Sequence, residues 1–200
     1  MTVAQADKQG NSMKTSILAI GHGAGLALIL AASGVAYGDG NVVGAIGVRS
    51  LTGDLWSDLD NDNQLAIGVS ADFGLGEIPL YISTGLQVSV GDGGEGDSTA
   101  SVADLSVGLK LMPTEGAMRP YVGAGVASVG ASIDTDFFGD DDDQSFGFYV
   151  GGGALFRIGS HFTMGVDLRY VGGTDIELFG VEGDADSVTA TALFGYSWGD

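Results

Sequence analysis

His161-Phe162-Thr163-Met164-Gly165-Val166-Asp167-Leu168-Arg169-Tyr170-Val171-Gly172 alternates from His161 to Tyr170 between apolar and polar or small residues. Phe162, Met164, Val166, Leu168 and Tyr170 fall on one face; His161, Thr163, Gly165, Asp167 and Arg169 fall on the other. A period of two sustained over this length is a β-strand with unlike faces. The same period recurs at Gln64–Gly74, Leu80–Val90, Val102–Leu111, Phe146–Ile158 and Ser187–Trp198. Two weaker, glycine-rich stretches, Val42–Ser50 and Pro120–Ile133, bring the number of predicted strands to eight.

The connections alternate as well. Long acidic stretches (51–63, 91–100, 134–143 and 173–185) follow every odd strand, and short links (Leu75–Pro79, Pro113–Pro120, Gly159-Ser160) follow every even one. Pro79, Pro113 and Pro120 sit in or beside the short links, where no ladder N–H is lost. Eight strands with short turns at one end and long loops at the other predict an all-β fold, an antiparallel up-and-down transmembrane β-barrel. Beyond residue 40 the basic residues are Arg49, Lys110, Arg119, Arg157 and Arg169. All but Arg119, which the reading places in a short turn, alternate onto the polar face, as do Asp72, Asp104 and Asp167. A basic residue facing lipid at the midplane costs about 2–4 kcal/mol, so this segregation has a physical reason. A soluble lipocalin-like periplasmic barrel would present the same alternation with its faces reversed. Aromatics at strand ends (Tyr81, Tyr121, Tyr170, Phe194, Tyr196 and Trp198) favour the membrane reading, as a girdle at the lipid–water interfaces.

The first forty residues point the same way. Met13-Lys14 opens a short positive region, Ile17–Ala32 is an apolar run, and Gly34-Val35-Ala36 offers a cleavage pattern ending at Ala36. Residues 1–36 therefore read as an N-terminal extension and signal peptide, and 37–200 as the barrel. An exported barrel of this kind belongs in the outer membrane of a Gram-negative bacterium.

Composition closes other routes. The 200 residues carry 26 acidic against 7 basic side chains, a net charge of −19, which argues against nucleic acid as a partner. A hydrophobic content of 44% is too high for a disordered acidic chain. No cysteine is present, which removes disulfides, thiolate metal sites and cysteine nucleophiles. His161 is the sole histidine beyond the leader, and it stands at a strand end beside a short link, so no catalytic residues and no enzyme are expected.

Arg119-Pro120-Tyr121-Val122-Gly123-Ala124-Gly125 resembles the entry into a middle strand of the small OmpA-type or opacity-type outer-membrane barrels. Ala192-Leu193-Phe194-Gly195-Tyr196-Ser197-Trp198 resembles that family's alternating C-terminal signal, read by the barrel-insertion machinery, with Gly199-Asp200 added. The resemblance covers residues 41–200 and implies eight strands, outer-membrane location and contact with the assembly machinery during insertion. It implies no particular activity.

Two sets of residues are candidates for a site. Arg49, Asp72, Asp104, Lys110, Arg157, Asp167 and Arg169 should form an ion-pair network in the lumen, since eight strands enclose a space that side chains fill. The acidic loops, with Asp186 at the edge of the last, hold 18 of the 26 carboxylates. Asp58, Asp60 and Asp62 open like a calcium loop, but Asn63 replaces the glycine and Val69 the final glutamate. With Asp140, Asp141, Asp142 and Asp143 they offer at most weak Ca2+ or Mg2+ binding, bridging loops to each other or to lipopolysaccharide phosphates; no other cofactor is expected. The expected role is structural or surface-interactive, for a monomer in contact with outer-membrane lipid and lipopolysaccharide. A narrow porin for ions or small solutes is the alternative.

Overall fold

A computed structural model describes residues 38–52, 63–93, 98–135, 139–178 and 181–199. Its strands are β1 (Gly40–Leu51), β2 (Asn63–Gly74), β3 (Leu80–Gly93), β4 (Ser98–Leu111), β5 (Met118–Thr135), β6 (Gly139–Ile158), β7 (Phe162–Gly172), β8 (Asp175–Leu178), β9 (Val181–Asp184) and β10 (Ser187–Trp198). Eight of them, β1 to β7 with β10, close into one antiparallel barrel in which β10 pairs back onto β1, with Gly40 opposite Trp198 and Leu51 opposite Ser187. The signal peptide and Ala36 lie outside the described residues.

Parity along each strand sorts the side chains. Leu65, Ile67, Val107, Leu109, Val122, Val126, Val166 and Leu168 project outward and are exposed. Arg49, Asp72 and Asp104 point inward and are at most 1% exposed. A soluble lipocalin-like barrel needs the opposite, an apolar lumen and a charged exterior, so that alternative is overturned by the orientation of the faces. No described helix is long and apolar enough to cross a membrane, and a barrel crosses with its strands.

Three of the expected loops are partly sheet. β3 and β4 continue to Gly93 and from Ser98, taking up most of 91–100. β5 and β6 run 18 and 20 residues, so Asp140–Asp143 belong to β6, paired opposite Asp134, Ile133, Ser132 and Ala131. Aspartate is a poor strand former, but a hairpin already in register extends its ladder over such residues once each N–H and C=O gains a partner. At about 3.3 Å per residue β6 is roughly 65 Å long, while about 9–11 residues cross a membrane, so this hairpin projects well beyond the bilayer on the long-loop side. Within 173–185, β8 and β9 form a small hairpin of their own, Ile176 opposite Gly183. The short links are turns as expected; Gly159 adopts φ 68°, a left-handed conformation that glycine takes without strain.

Candidate functional site

The barrel interior is filled in layers. At the short-turn end, Val43, Tyr81, Met112, Tyr121, Leu155 and Leu193 form one buried apolar cluster. At the long-loop end, Leu51, Val102, Val129, Tyr149 and Val171 form another, together with Ile176 from β8 and Ala185. Asp186 clamps this cap: its carboxylate accepts from the Thr174 backbone N–H at 3.1 Å, the Thr174 hydroxyl at 2.9 Å and the Tyr170 hydroxyl at 2.9 Å. Its backbone carbonyl accepts from the Thr52 N–H at 2.9 Å, tying the cap to the end of β1.

Between the two clusters lie the ion pairs. Asp104 on β4 bridges two arginines: Oδ2 pairs with Arg49 Nη2, and Oδ1 lies 3.1 Å from Arg169 Nη2. Arg49 also donates to Gln87 Oε1 at 2.7 Å, and Arg169 stacks with Cζ 4.3 Å from the Tyr149 ring centre. One level nearer the short turns, Lys110 Nζ pairs with Asp72 Oδ2 at 2.7 Å and lies 4.5 Å from the centre of the Tyr121 ring. Inward-facing glycines make room for these rings. A methyl group at Gly153 would sit 2.7 Å from the Tyr121 hydroxyl oxygen, and one at Gly125 would sit 2.7 Å from Tyr149 Cε1. A cavity of about 80 Å³ remains between the layers, bordered by Ser83, Ser106, Lys110, Tyr121, Asp167 and Arg169.

Against the sequence reading, Arg49, Asp72, Asp104, Lys110 and Arg169 are brought together as ion pairs, and two residues are not. Asp167 accepts a hydrogen bond from Tyr121 Oη at 2.6 Å in place of an arginine partner. Arg157 faces the lumen but makes no ion pair among the described residues, and its Nε and Nη2 lack hydrogen-bond partners. Arg119, expected in a turn, lies inside β5 and is 1% exposed. Its parity with Tyr121 was visible in the sequence; the adjacent Pro120 suggested a turn instead, but proline is tolerated near the start of a strand.

The aromatic girdle divides. Phe194 and Tyr196 face outward and are about half exposed, and Trp198 packs against Phe73 with ring centres 6.0 Å apart. Tyr170 sits at the other rim, 6.2 Å from Phe148. Tyr81 and Tyr121, expected in the girdle, do not belong to it: both are buried in the lumen, because their strand parity turns them inward. His161 stacks on Tyr196 at 5.0 Å and bonds Ser160 Oγ at 2.7 Å, which gives it a place in the short-turn rim. Asp58, Asp60 and Asp62 lie outside the described residues. Among the described residues no three His, Asp or Glu side chains converge as a metal set would.

An apolar outer belt, a polar filled interior, short turns at one end and a long hairpin at the other define a transmembrane β-barrel of the bacterial outer membrane. The chain belongs to the outer membrane protein beta-barrel domain family, whose model matches residues 23–198. It resides in the outer membrane of a Gram-negative bacterium. Solved structures with the same fold include Ail, the attachment invasion locus protein of Yersinia pestis, at 13% identity, TM-score 0.56, covering 81% of this chain and 99% of that one. Ail has also been solved with the heparin analogue sucrose octasulfate. The outer membrane protein OprG from Pseudomonas aeruginosa matches at 15% identity and TM-score 0.56, covering 82% of this chain and 97% of that one. Neisserial surface protein A matches at 16% and 0.57, covering 80% and 96%. No curated protein sequence matches the chain.

Proposed function

We propose that this protein is a closed barrel with a structural and surface-contact role, not an open pore and not an enzyme. The observation that carries the reading is the stacking in the lumen: an apolar cluster at each end with an ion-paired layer between them. A passing ion would have to separate Asp104 from two arginines and cross both apolar layers, each of which disfavours charge. The long β5–β6 hairpin, carrying Asp140–Asp143, supplies the surface for contact outside the cell.

The attachment and surface proteins that share the fold support a contact role. With a net charge of −19 concentrated in external segments, a polyanion such as a heparin analogue would be repelled. The contact is therefore to a cationic surface, or to lipopolysaccharide phosphates through Ca2+ or Mg2+ held weakly by the acidic segments. The barrel works as a monomer among outer-membrane lipids, inserted by the assembly machinery through its alternating last strand. The cavity of about 80 Å³ in mid-lumen favours a second reading, a narrow conduit opened by rearrangement of the two clusters. Planar-bilayer recording separates the two: a silent membrane at physiological salt is expected, and a steady wild-type current would make the conduit the better description.

A further inference from the structure

We infer that the short-turn end of the lumen holds a site for a small oxyanion, a phosphate or a carboxylate, gripped by Arg119 and Arg157. All five basic residues of the strands (Arg49, Lys110, Arg119, Arg157 and Arg169) share the inward parity, against three inward strand carboxylates within the filled lumen, Asp72, Asp104 and Asp167. Asp39, just before β1, adds a carboxylate whose field reaches Arg119 and Tyr81, so one positive charge remains in excess inside a chain that is otherwise strongly acidic. The ion pairs place the excess: Asp104 serves Arg49 and Arg169, Asp72 serves Lys110, and Asp167 is held by Tyr121. Arg119 and Arg157 are the two that make no ion pair among the described residues.

They are neighbours. Arg119 pairs with Leu155 across β5 and β6, so Arg157 is its diagonal neighbour on the inward face, about 7–8 Å away at the backbone. Arg119 Nη1 and Nη2 and Arg157 Nε and Nη2 make no hydrogen bond to any described group, although Arg119 is 1% exposed. Around the same rim, the Tyr81 hydroxyl and the Asn41 side-chain amide are also without partners, and both residues are 0% exposed. Tyr81 lies within electrostatic reach of both Arg119 and Arg157, and Asn41 is paired opposite Asp72, whose field also reaches Tyr81 and Arg119. Asp72 keeps one free oxygen, Oδ1, yet makes no ion pair with either arginine.

Buried guanidinium groups are stable only when an opposite charge or a full set of acceptors meets them. Their planar forks match the paired oxygens of a phosphate or carboxylate, and the amide and hydroxyl add neutral donors. The short-turn end faces the periplasm, so the anion would enter from that side. Such an anion would neutralise the excess charge and lock the turn-side layer.

The chain has four arginines, so protein labelled with 15N-arginine and refolded in detergent micelles gives four Nε–H signals, assigned with single Arg→Lys variants. Inorganic phosphate, titrated at constant ionic strength, should move the Arg119 and Arg157 signals along a saturating curve and leave Arg49 and Arg169 in place. Acetate replaces phosphate in a second titration, and saturation by one or both defines which oxyanions the site takes. No saturable movement with either, equal movement of all four signals, or the same response to chloride would each overturn the inference. Arg119→Gln should weaken phosphate binding by about tenfold or more, because a charge-assisted bond is lost. An unchanged affinity in a folded R119Q barrel would also refute it.

Discussion

Asp104 is the position at which the filled lumen can be tested most sharply. Its carboxylate, 1% exposed, holds Arg49 through one oxygen and Arg169 through the other. Asp104→Ala would leave two guanidinium groups facing each other without a counter-charge. Removing one partner of a buried pair costs about 3–5 kcal/mol. Arg49, itself 1% exposed, would bear most of that cost even with Gln87 still accepting from it at 2.7 Å. Arg169 is 13% exposed and keeps its stacking on Tyr149, so it adds less. A loss of about 4 kcal/mol is expected overall, some thousandfold in the folding equilibrium. The assay is urea unfolding in lipid vesicles or micelles, followed by tryptophan fluorescence and by the gel shift between folded and boiled samples. Asp104→Asn should cost less, since one acceptor remains. Replacing Arg49, Asp104 and Arg169 together by Met, Leu and Leu should be neutral or stabilising, as for other buried ion triads exchanged for apolar side chains. A loss below about 1 kcal/mol for Asp104→Ala would refute the buried network, whose cost rests on the absence of water around the pair.

Two further substitutions probe the belt and the cap. Leu168, 57% exposed on the outward face, should tolerate isoleucine, whereas Leu168→Arg should destabilise the inserted barrel by about 2–4 kcal/mol in vesicle refolding. Equal folding of the two variants would contradict the lipid-facing assignment. Asp186→Ala removes three hydrogen bonds that hold Thr174 and Tyr170, and should free Ile176, 3% exposed, from the apolar cap. Limited proteolysis between residues 173 and 185 should then speed up by about tenfold or more, and an unchanged rate would show that the cap is held elsewhere.

The barrel was legible because a period of two is imposed by strand geometry on every residue, and the membrane makes each lipid-facing charge expensive. That is why His161–Gly172 predicts its own faces residue by residue. Where residue type and parity point different ways, parity prevails. Tyr81 and Tyr121 read as girdle aromatics because tyrosine favours interfaces, yet each occupies an inward position on its strand, where inward glycines such as Gly153 leave room for a ring. Arg119 read as a turn residue because of Pro120, although it lies two residues from inward-facing Tyr121. Asp140–Asp143 read as loop because aspartate disfavours strands; the length of the β5–β6 hairpin depends on cross-strand pairing, which no local pattern reports. The cap leaves no local signal either, since β8 and β9 are four residues each, too short to display a period. Which carboxylate meets which cation depends on register between strands far apart in the chain, 55 residues for Arg49 and Asp104 and more for Asp104 and Arg169, and so became visible only in the folded barrel.

The orientation of the two faces underlies every conclusion above, and leucines on opposite faces report it directly. Leu155 and Leu193 are 1% and 7% exposed within the lumen, whereas Leu65, Leu109 and Leu168 are 61%, 51% and 57% exposed on the outer belt. Methyl-labelled protein in nanodiscs containing a nitroxide at the centre of the acyl chains would show which leucines meet lipid. The account predicts strong broadening of the Leu65, Leu109 and Leu168 methyl signals, with those of Leu155 and Leu193 largely spared. Broadening of Leu155 and Leu193 with sparing of Leu168 would reverse the faces and contradict a transmembrane barrel with a filled, ion-paired lumen.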